Sequence, residues 1–193
     1  MPDCKDYLEQ TAALHDHLCP RQVLGVRIGI HAGELLGLPL PRRDKRILAF
    51  VETDGCFADG VSVATGCRMG RRTMRLMDYG KVAAVFIDTE TEQAVRIAPT
   101  REAREGACLY APDAPDRWHA RRDAYQRMPT SELLDAKFVT LTFSLQDIIS
   151  QPGLRVPCNM CGEEIMNVRE VVVGGNVLCQ WCAGEGYYVM RDA

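Results

Sequence analysis

Apolar residues recur at two different spacings along the first two-thirds of the chain, and the changes of spacing mark its elements. Over residues 3–14, Tyr7, Leu8, Ala12 and Leu14 alternate with charged positions in a helical pattern. A second helix is predicted from Pro20, a residue favoured in a first helical turn, to about Gly37, with Pro39 just beyond. "RILAFVETD", residues 46–54, reads as a strand, and "FADGVSVATG", residues 57–66, as a short helix running into a glycine turn. "KVAAVFID" and "QAVRIAPT" read as the strands of a hairpin joined by the polar "TETE". Residues 101–135 are charged and helical in parts, and "FVTLTF", residues 138–143, predicts a returning strand. Strands that adjoin one another beside helices, without regular alternation, predict an α+β fold: a mixed or antiparallel sheet with packed helices.

The second helix carries an oddity. Gly25, Gly29 and Gly33 lie four apart, hence on one face. Each glycine costs a helix about 1 kcal/mol relative to alanine. One reading is close backbone approach by another helix, from the same chain or from a partner subunit. The other is a partly irregular helix.

Two prolines and a glycine in "SQPGLRVP", residues 150–157, break the pattern and separate a core domain, residues 1–150, from a small second domain, residues 155–193. In the tail, Cys158-x-x-Cys161 and Cys179-x-x-Cys182 bracket "REVVVGGNVLC", which predicts a hairpin turning at Gly174-Gly175, and "QWCAGEGYY" predicts a short helix. Four thiolates from two short knuckles can close a tetrahedral shell around zinc with no open position, so the expected ion is structural. Knuckle, hairpin and helix is the treble-clef order. So short a segment has little core of its own, and the metal would supply much of its folding free energy. The finger carries three arginines against five carboxylates, a side-chain sum of −2. Direct nucleic-acid binding, which needs phosphate neutralisation, is therefore not expected of it.

The whole chain of 193 residues is an ordinary globular composition, 47% hydrophobic and 25% charged, with net charge −3. No global positive field draws in nucleic acid or anionic lipid. The stretch 23–40 is interrupted by Arg27, His31 and Glu34, which excludes a membrane span there. The beginning "MPDCKDYLEQ" is charged from its third residue, unlike a secretory signal, so the expected location is cytoplasmic. In that compartment nine cysteines are more often ligands or reactive thiols than disulfides.

Three core segments concentrate soft donors. "LHDHLCP" packs His15, His17 and Cys19 into five positions and ends at Pro20. If extended, it projects all three to one side, with Cys19 just before a helix N-terminus whose dipole favours thiolate. "ETDGCFADG" places Cys56 after a strand end, and "TGCRMG" holds Cys67 between glycines. Imidazole and thiolate suit zinc and other transition ions. These segments offer either a metal or reactive-thiol site or buried cysteines that merely fill space. Cys4 and Cys108 lack neighbouring ligands and read as structural, His31 as packing, and His119 in "RWHARR" as surface.

With these residues in view, the core resembles the FmdE family, named for its association with formylmethanofuran dehydrogenase. That family's motifs look like His-Gly-His-x-Cys-Pro-Gly, Glu-Thr-Asp-x-Cys-x-x-Asp and Thr-Gly-Cys-x-x-Gly. Here they stand as His15-Asp16-His17-Leu18-Cys19-Pro20, Glu52-Thr53-Asp54-Gly55-Cys56-Phe57-Ala58-Asp59 and Thr65-Gly66-Cys67-Arg68-Met69-Gly70. Asp16 and Arg21 replace the usual glycines, which leaves the role of His15 open. The resemblance implies a core site of His17, Cys19, Cys56 and Cys67, with Asp59 as a polar partner. It also implies a homodimer and, in some members, a C-terminal zinc finger.

Three functions follow as expectations. One is a metal-binding accessory protein, with structural zinc in the tail and a second transition ion in the core, serving a molybdenum or tungsten oxidoreductase. Another is a regulatory adaptor whose finger contacts protein or RNA partners. The third is a small metal-dependent enzyme using the core His/Cys site.

Overall fold

The computed structural model describes residues 4–149 and 153–191. The chain forms two compact units, Met1–Leu141 and Thr142–Ala193. Ser150, Gln151 and Pro152 of the predicted break, Asp3 of the first predicted helix, and residues 192 and 193 lie outside the described residues.

The first unit is an α+β layer built on a five-stranded mixed sheet of order β2-β1-β3-β4-β5. Its strands are β1 (Ile47–Val51), β2 (Met74–Leu76), β3 (Ala84–Asp88), β4 (Ala94–Pro99) and β5 (Leu134–Val139). β1 is buried at all five positions, as a strand covered on both faces must be. The predicted hairpin is β3 and β4, antiparallel with Phe86 opposite Val95. Asp88 closes its turn by accepting from the Glu90 amide and the Thr91 hydroxyl while holding the Arg46 guanidinium at 3.0 Å through two nitrogens.

The returning strand lies earlier than predicted. β5 pairs residue for residue with the six of β4, from Pro99–Leu134 to Ala94–Val139. β4 begins at Ala94, so past Val139 no partner is left and most of "FVTLTF" leaves the sheet. β2, which the pattern did not reveal, runs parallel to β1.

Three helices matter most. α1 is Cys4–Ala12, α2 is Pro20–Leu36 and α3 is Cys56–Thr65. α2 starts with Pro20 inside its first turn and stops at Gly37, whose φ of 63° provides the left-handed cap. α4 (Ala103–Tyr110), α5 (Arg117–Arg127) and α6 (Thr130–Leu133) fill the charged stretch before β5.

The glycine face of α2 meets a helix of the same chain. A Cβ on Gly25 would overlap the Phe57 carbonyl oxygen and stand 2.9 Å from the Val61 nitrogen. One on Gly29 would stand 2.7 Å from the Ala64 Cβ, and one on Gly60 would reach the Gln22 carbonyl and come within 3.0 Å of the Val26 nitrogen. Contact positions rise together along both helices, so α2 and α3 run parallel, backbone on backbone. Gly33 is filled instead by Leu38 and Leu40. The cost of three helical glycines is offset by this packing.

The second unit holds α7 (Leu145–Ile148) and two short hairpins, β6 (Arg155–Pro157) with β7 (Glu164–Met166) and β8 (Val171–Val173) with β9 (Asn176–Leu178). The latter turns at Gly174 and Gly175, with φ of 57° and 82°, as predicted. A short helical turn, Trp181–Glu185, follows. Among the described residues no helix is long and apolar enough to cross a membrane.

Candidate functional site

The parallel crossing decides where the core cysteines go. Cys19 is the N-cap of α2 and Cys56 the first residue of α3. Each precedes its own contact glycine, Gly25 or Gly60, by only a few residues. Because the helices are parallel, both N-termini come out at one end, side by side. The neighbouring Cys19 sulfur acts directly on Cys56: burial pushes the Cys56 thiol above its ordinary value, and Cys19 and the Asp59 carboxylate push the same way.

Cys19 is held in place by a capping box. The Cys19 sulfur accepts from the Gln22 amide at 3.4 Å, while the Gln22 side chain accepts from the Cys19 amide at 2.7 Å. Fully buried Gln22 also donates to the Thr11 carbonyl at 2.7 Å, tying the end of α1 to the start of α2. The segment between carries the two histidines. Its Asp16 takes φ of 59°, a left-handed conformation that favours glycine and that aspartate tolerates better than most residues. A glycine here, as in the motif, would suit the same backbone.

His15, whose role the sequence leaves open, is the imidazole that touches the thiol. Its Nδ1 lies 4.0 Å from the Cys56 sulfur and its Nε2 2.6 Å from an Asp59 carboxylate oxygen. A ring held by a carboxylate on one nitrogen and turned to a soft donor with the other is how metal-ligating histidines are oriented. His17 is exposed, donates through Nδ1 to the His15 carbonyl at 2.8 Å, and its ring stands 6.3 Å from that of His15. It lines the same cleft as Cys19 and Cys56.

Cys67 does not join them, which corrects the expectation of a shared site with it. It is 1% exposed in the hydrophobic core, donates to the Ile47 carbonyl at 3.5 Å, and its thiol is pushed up to about 11 by burial. Its glycine-flanked motif shapes the end of α3 instead: Gly66 caps the helix at φ of 78°. Among the described residues the core brings no three donor atoms within 4.8 Å of one another. His31 pairs with Glu34 and His119 with Asp116, each at 2.8 Å, while Cys108 is exposed.

A cleft of about 770 Å³ opens from the two thiols. One wall is α5, with Trp118, Arg121 and Tyr125. Half-buried Arg27 of α2 fixes that wall by donating to the carbonyls of Tyr125 at 2.8 Å and Met128 at 2.9 Å and to the Thr130 hydroxyl at 3.2 Å. The basic "RWHARR" stretch, read from sequence as a solvated face, thus contributes cleft residues. Its helical spacing was visible, but not what it faces.

In the second unit the four tail sulfurs converge within 4.8 Å of one another. The knuckles are tied together by Asn159, whose amide donates to the Val177 carbonyl at 2.8 Å and whose side chain accepts from the Val177 amide at 2.7 Å. Backbone N–H groups from Cys161 and Cys179 pull the Cys158 thiol down to about 6, whereas burial and the neighbouring sulfurs push Cys182 up to about 12. Four thiols this close cannot all ionise unless a cation sits among them. The donor set and its spacing fit a metal ion.

Residues 14–135 match the family model described as "FmdE, Molybdenum formylmethanofuran dehydrogenase operon". The chain belongs to the FmdE family. A "probable S-adenosyl-L-methionine-binding protein" of Archaeoglobus fulgidus is 31% identical over 194 residues, a match covering 91% of this chain and 52% of the relative. The chain thus spans about half the length of that curated relative. In fold it is similar to the crystal structure of an FmdE-like protein of tungsten formylmethanofuran dehydrogenase from Syntrophus aciditrophicus. That likeness has a TM-score of 0.61 at 22% identity and covers 96% of this chain and 95% of the other. The FmdE match contains both core cysteines, His15, Asp59 and the α5 wall, and ends before the four-cysteine cluster.

Proposed function

We propose that this FmdE protein is a cytosolic metal-binding accessory protein whose core takes a transition ion through Cys19, Cys56 and a histidine. The tail cluster of Cys158, Cys161, Cys179 and Cys182 holds a structural zinc ion in a treble-clef finger. The observation that carries the core reading is the glycine-locked parallel crossing of α2 and α3, which sets two thiols side by side beside an imidazole oriented by Asp59. Two sulfurs and a nitrogen are donors that zinc and its neighbours prefer, and they leave a position open. His15 is the first candidate for the nitrogen, and exposed His17 the second. The ion would supply a Lewis-acidic centre at the cleft.

The protein's partners belong to the same proposal: a second copy of the chain and a molybdenum or tungsten oxidoreductase. Exposed apolar side chains on the finger, Met160, Val172 and Val189 among them, support a protein contact rather than a nucleic-acid one. The oriented His15–Asp59 pair also favours a second reading, a small metal-dependent enzyme in which that pair accepts a proton. The name of the Archaeoglobus relative adds S-adenosyl-L-methionine as a ligand to test.

Metal counting on the full chain tests the reading. The expected stoichiometry is two ions per chain, falling to one in Cys19→Ser/Cys56→Ser, with the finger's ion retained. One ion in both proteins overturns the core centre. Exogenous anions that shift the visible spectrum of the cobalt-substituted core would favour the enzyme.

A further inference from the structure

The cleft beside the thiols has a charge that the chain as a whole does not. The protein is net negative, −3, yet Arg21, Arg101, Arg104 and Arg121 line this one cleft and no carboxylate does. These guanidiniums come from separate places in the fold: the first turn of α2, the segment after β4, α4 and α5. Among the described residues none of the four makes a side-chain hydrogen bond or ion pair, whereas Arg27, Arg42, Arg46, Arg96 and Arg122 all have partners. Arg121 and Arg104 both bear on the buried Tyr125 phenol, so their charges converge on one wall. A single carboxylate, Glu105, lines the neighbouring depression that Arg104 and Arg121 share.

Four like charges left facing a concave surface repel one another, and a low-dielectric wall focuses their field. A guanidinium is built to hold an oxyanion through two parallel N–H groups. The rest of the lining is apolar or aromatic: Leu24, Val82, Pro99 and the face of Trp118. We propose that the cleft binds a small organic molecule ending in a multiply charged oxyanion, a phosphate or polycarboxylate group. The arginines hold that end while the apolar lining takes the body and directs its other end to Cys19, Cys56 and His15. This rests on the reading of the cleft as the working centre and deepens it by naming the substrate class.

The test is calorimetric titration of the full chain with inorganic pyrophosphate and with citrate, the two sources of the charge, at low ionic strength. Trp118 emission in a Trp181→Phe background gives a second readout. At least one probe is expected to bind saturably, more weakly as sodium chloride is raised. Arg104→Gln/Arg121→Gln should weaken it at least about tenfold, the loss of one or two charge-assisted hydrogen bonds. Arg43→Gln, on another surface, should leave it unchanged, and circular dichroism confirms folding since neither cleft arginine holds a contact. The preferred probe tells phosphate from polycarboxylate. Failure of both probes to saturate up to roughly 10 mM, or equal binding by the double variant, overturns the proposal. Repeating the titration with Cys19→Ser/Cys56→Ser separates the two ideas. Anion binding that survives there with metal lost supports both. Anion binding that fails in the wild type with metal stoichiometry intact sinks the oxyanion site alone.

Discussion

Replacing Gly25 by alanine should damage this protein although the same change improves most helices. On helix propensity alone, alanine gains about 1 kcal/mol. Here the added methyl meets the Phe57 carbonyl, stands 2.9 Å from the Val61 nitrogen and 3.0 Å from the Gly60 Cα, against 3.4 Å or more for ordinary contact. All three obstacles are backbone, so no side chain can swing aside. α2 and α3 would have to part by about 0.5–1 Å in a close-packed core. Overpacking of that kind costs about 1–3 kcal/mol, occasionally more, and a backbone obstacle puts it at the upper end. The expected net loss is about 2 kcal/mol, read as a lower urea midpoint by Trp118 fluorescence in a Trp181→Phe background. Gly106→Ala on α4 is the control: nothing lies within 4 Å of its Cβ, so it should stabilise by about 0.5–1 kcal/mol. If Gly25→Ala matched that control, the helices would not touch as described. The reason for Cys19 and Cys56 being neighbours would go with it.

Three other outcomes follow from the same geometry. Gln22→Ala removes both halves of the Cys19 capping box and the tie to Thr11, and should cost about 2 kcal/mol, with faster amide exchange over residues 13–18. Asp88 is held down to about 2 by the Arg46 guanidinium first and by its turn hydrogen bonds. Its folded value lies below its ordinary 3.8, so its contribution is full above about pH 4 and lost as pH falls toward 2. Wild-type stability to urea should therefore fall by about 2 kcal/mol more over that window than Asp88→Asn stability does. Arg27→Met should lower stability by about 2–3 kcal/mol, because it leaves the carbonyls of Tyr125 and Met128 without their charged donor, and should weaken anion binding by loosening the α5 wall.

Local chemistry was legible in the sequence, and distant geometry was not. Pro20 and Gly37 bound α2 because a fixed φ and a left-handed cap are properties of those residues themselves. Gly174-Gly175 turned its hairpin for the same reason, and the two Cys-x-x-Cys pairs announced a four-sulfur cluster by spacing. The glycine face of α2 announced a close approach but not its partner, since Gly60 lies far along the chain and reads alone as one more helical glycine. Cys67 was grouped with the other cysteines because a motif records order, not direction, and its thiol turns into the core. His15 was undervalued beside His17 because the left-handed Asp16 turns the segment and breaks the extended alternation that would align them. The arginines of the cleft escaped notice because they come from four segments that only the folded chain assembles.

Cadmium-113 NMR of the fully loaded chain tests the central claim most directly, that two parallel helix starts build a metal centre distinct from the finger. Two resonances are expected, one in the four-sulfur range that Cys19→Ser leaves in place and a second, less sulfur-rich, that Cys19→Ser and Cys56→Ser each abolish. A single four-sulfur resonance in the wild type, or a second resonance indifferent to both substitutions, would contradict it.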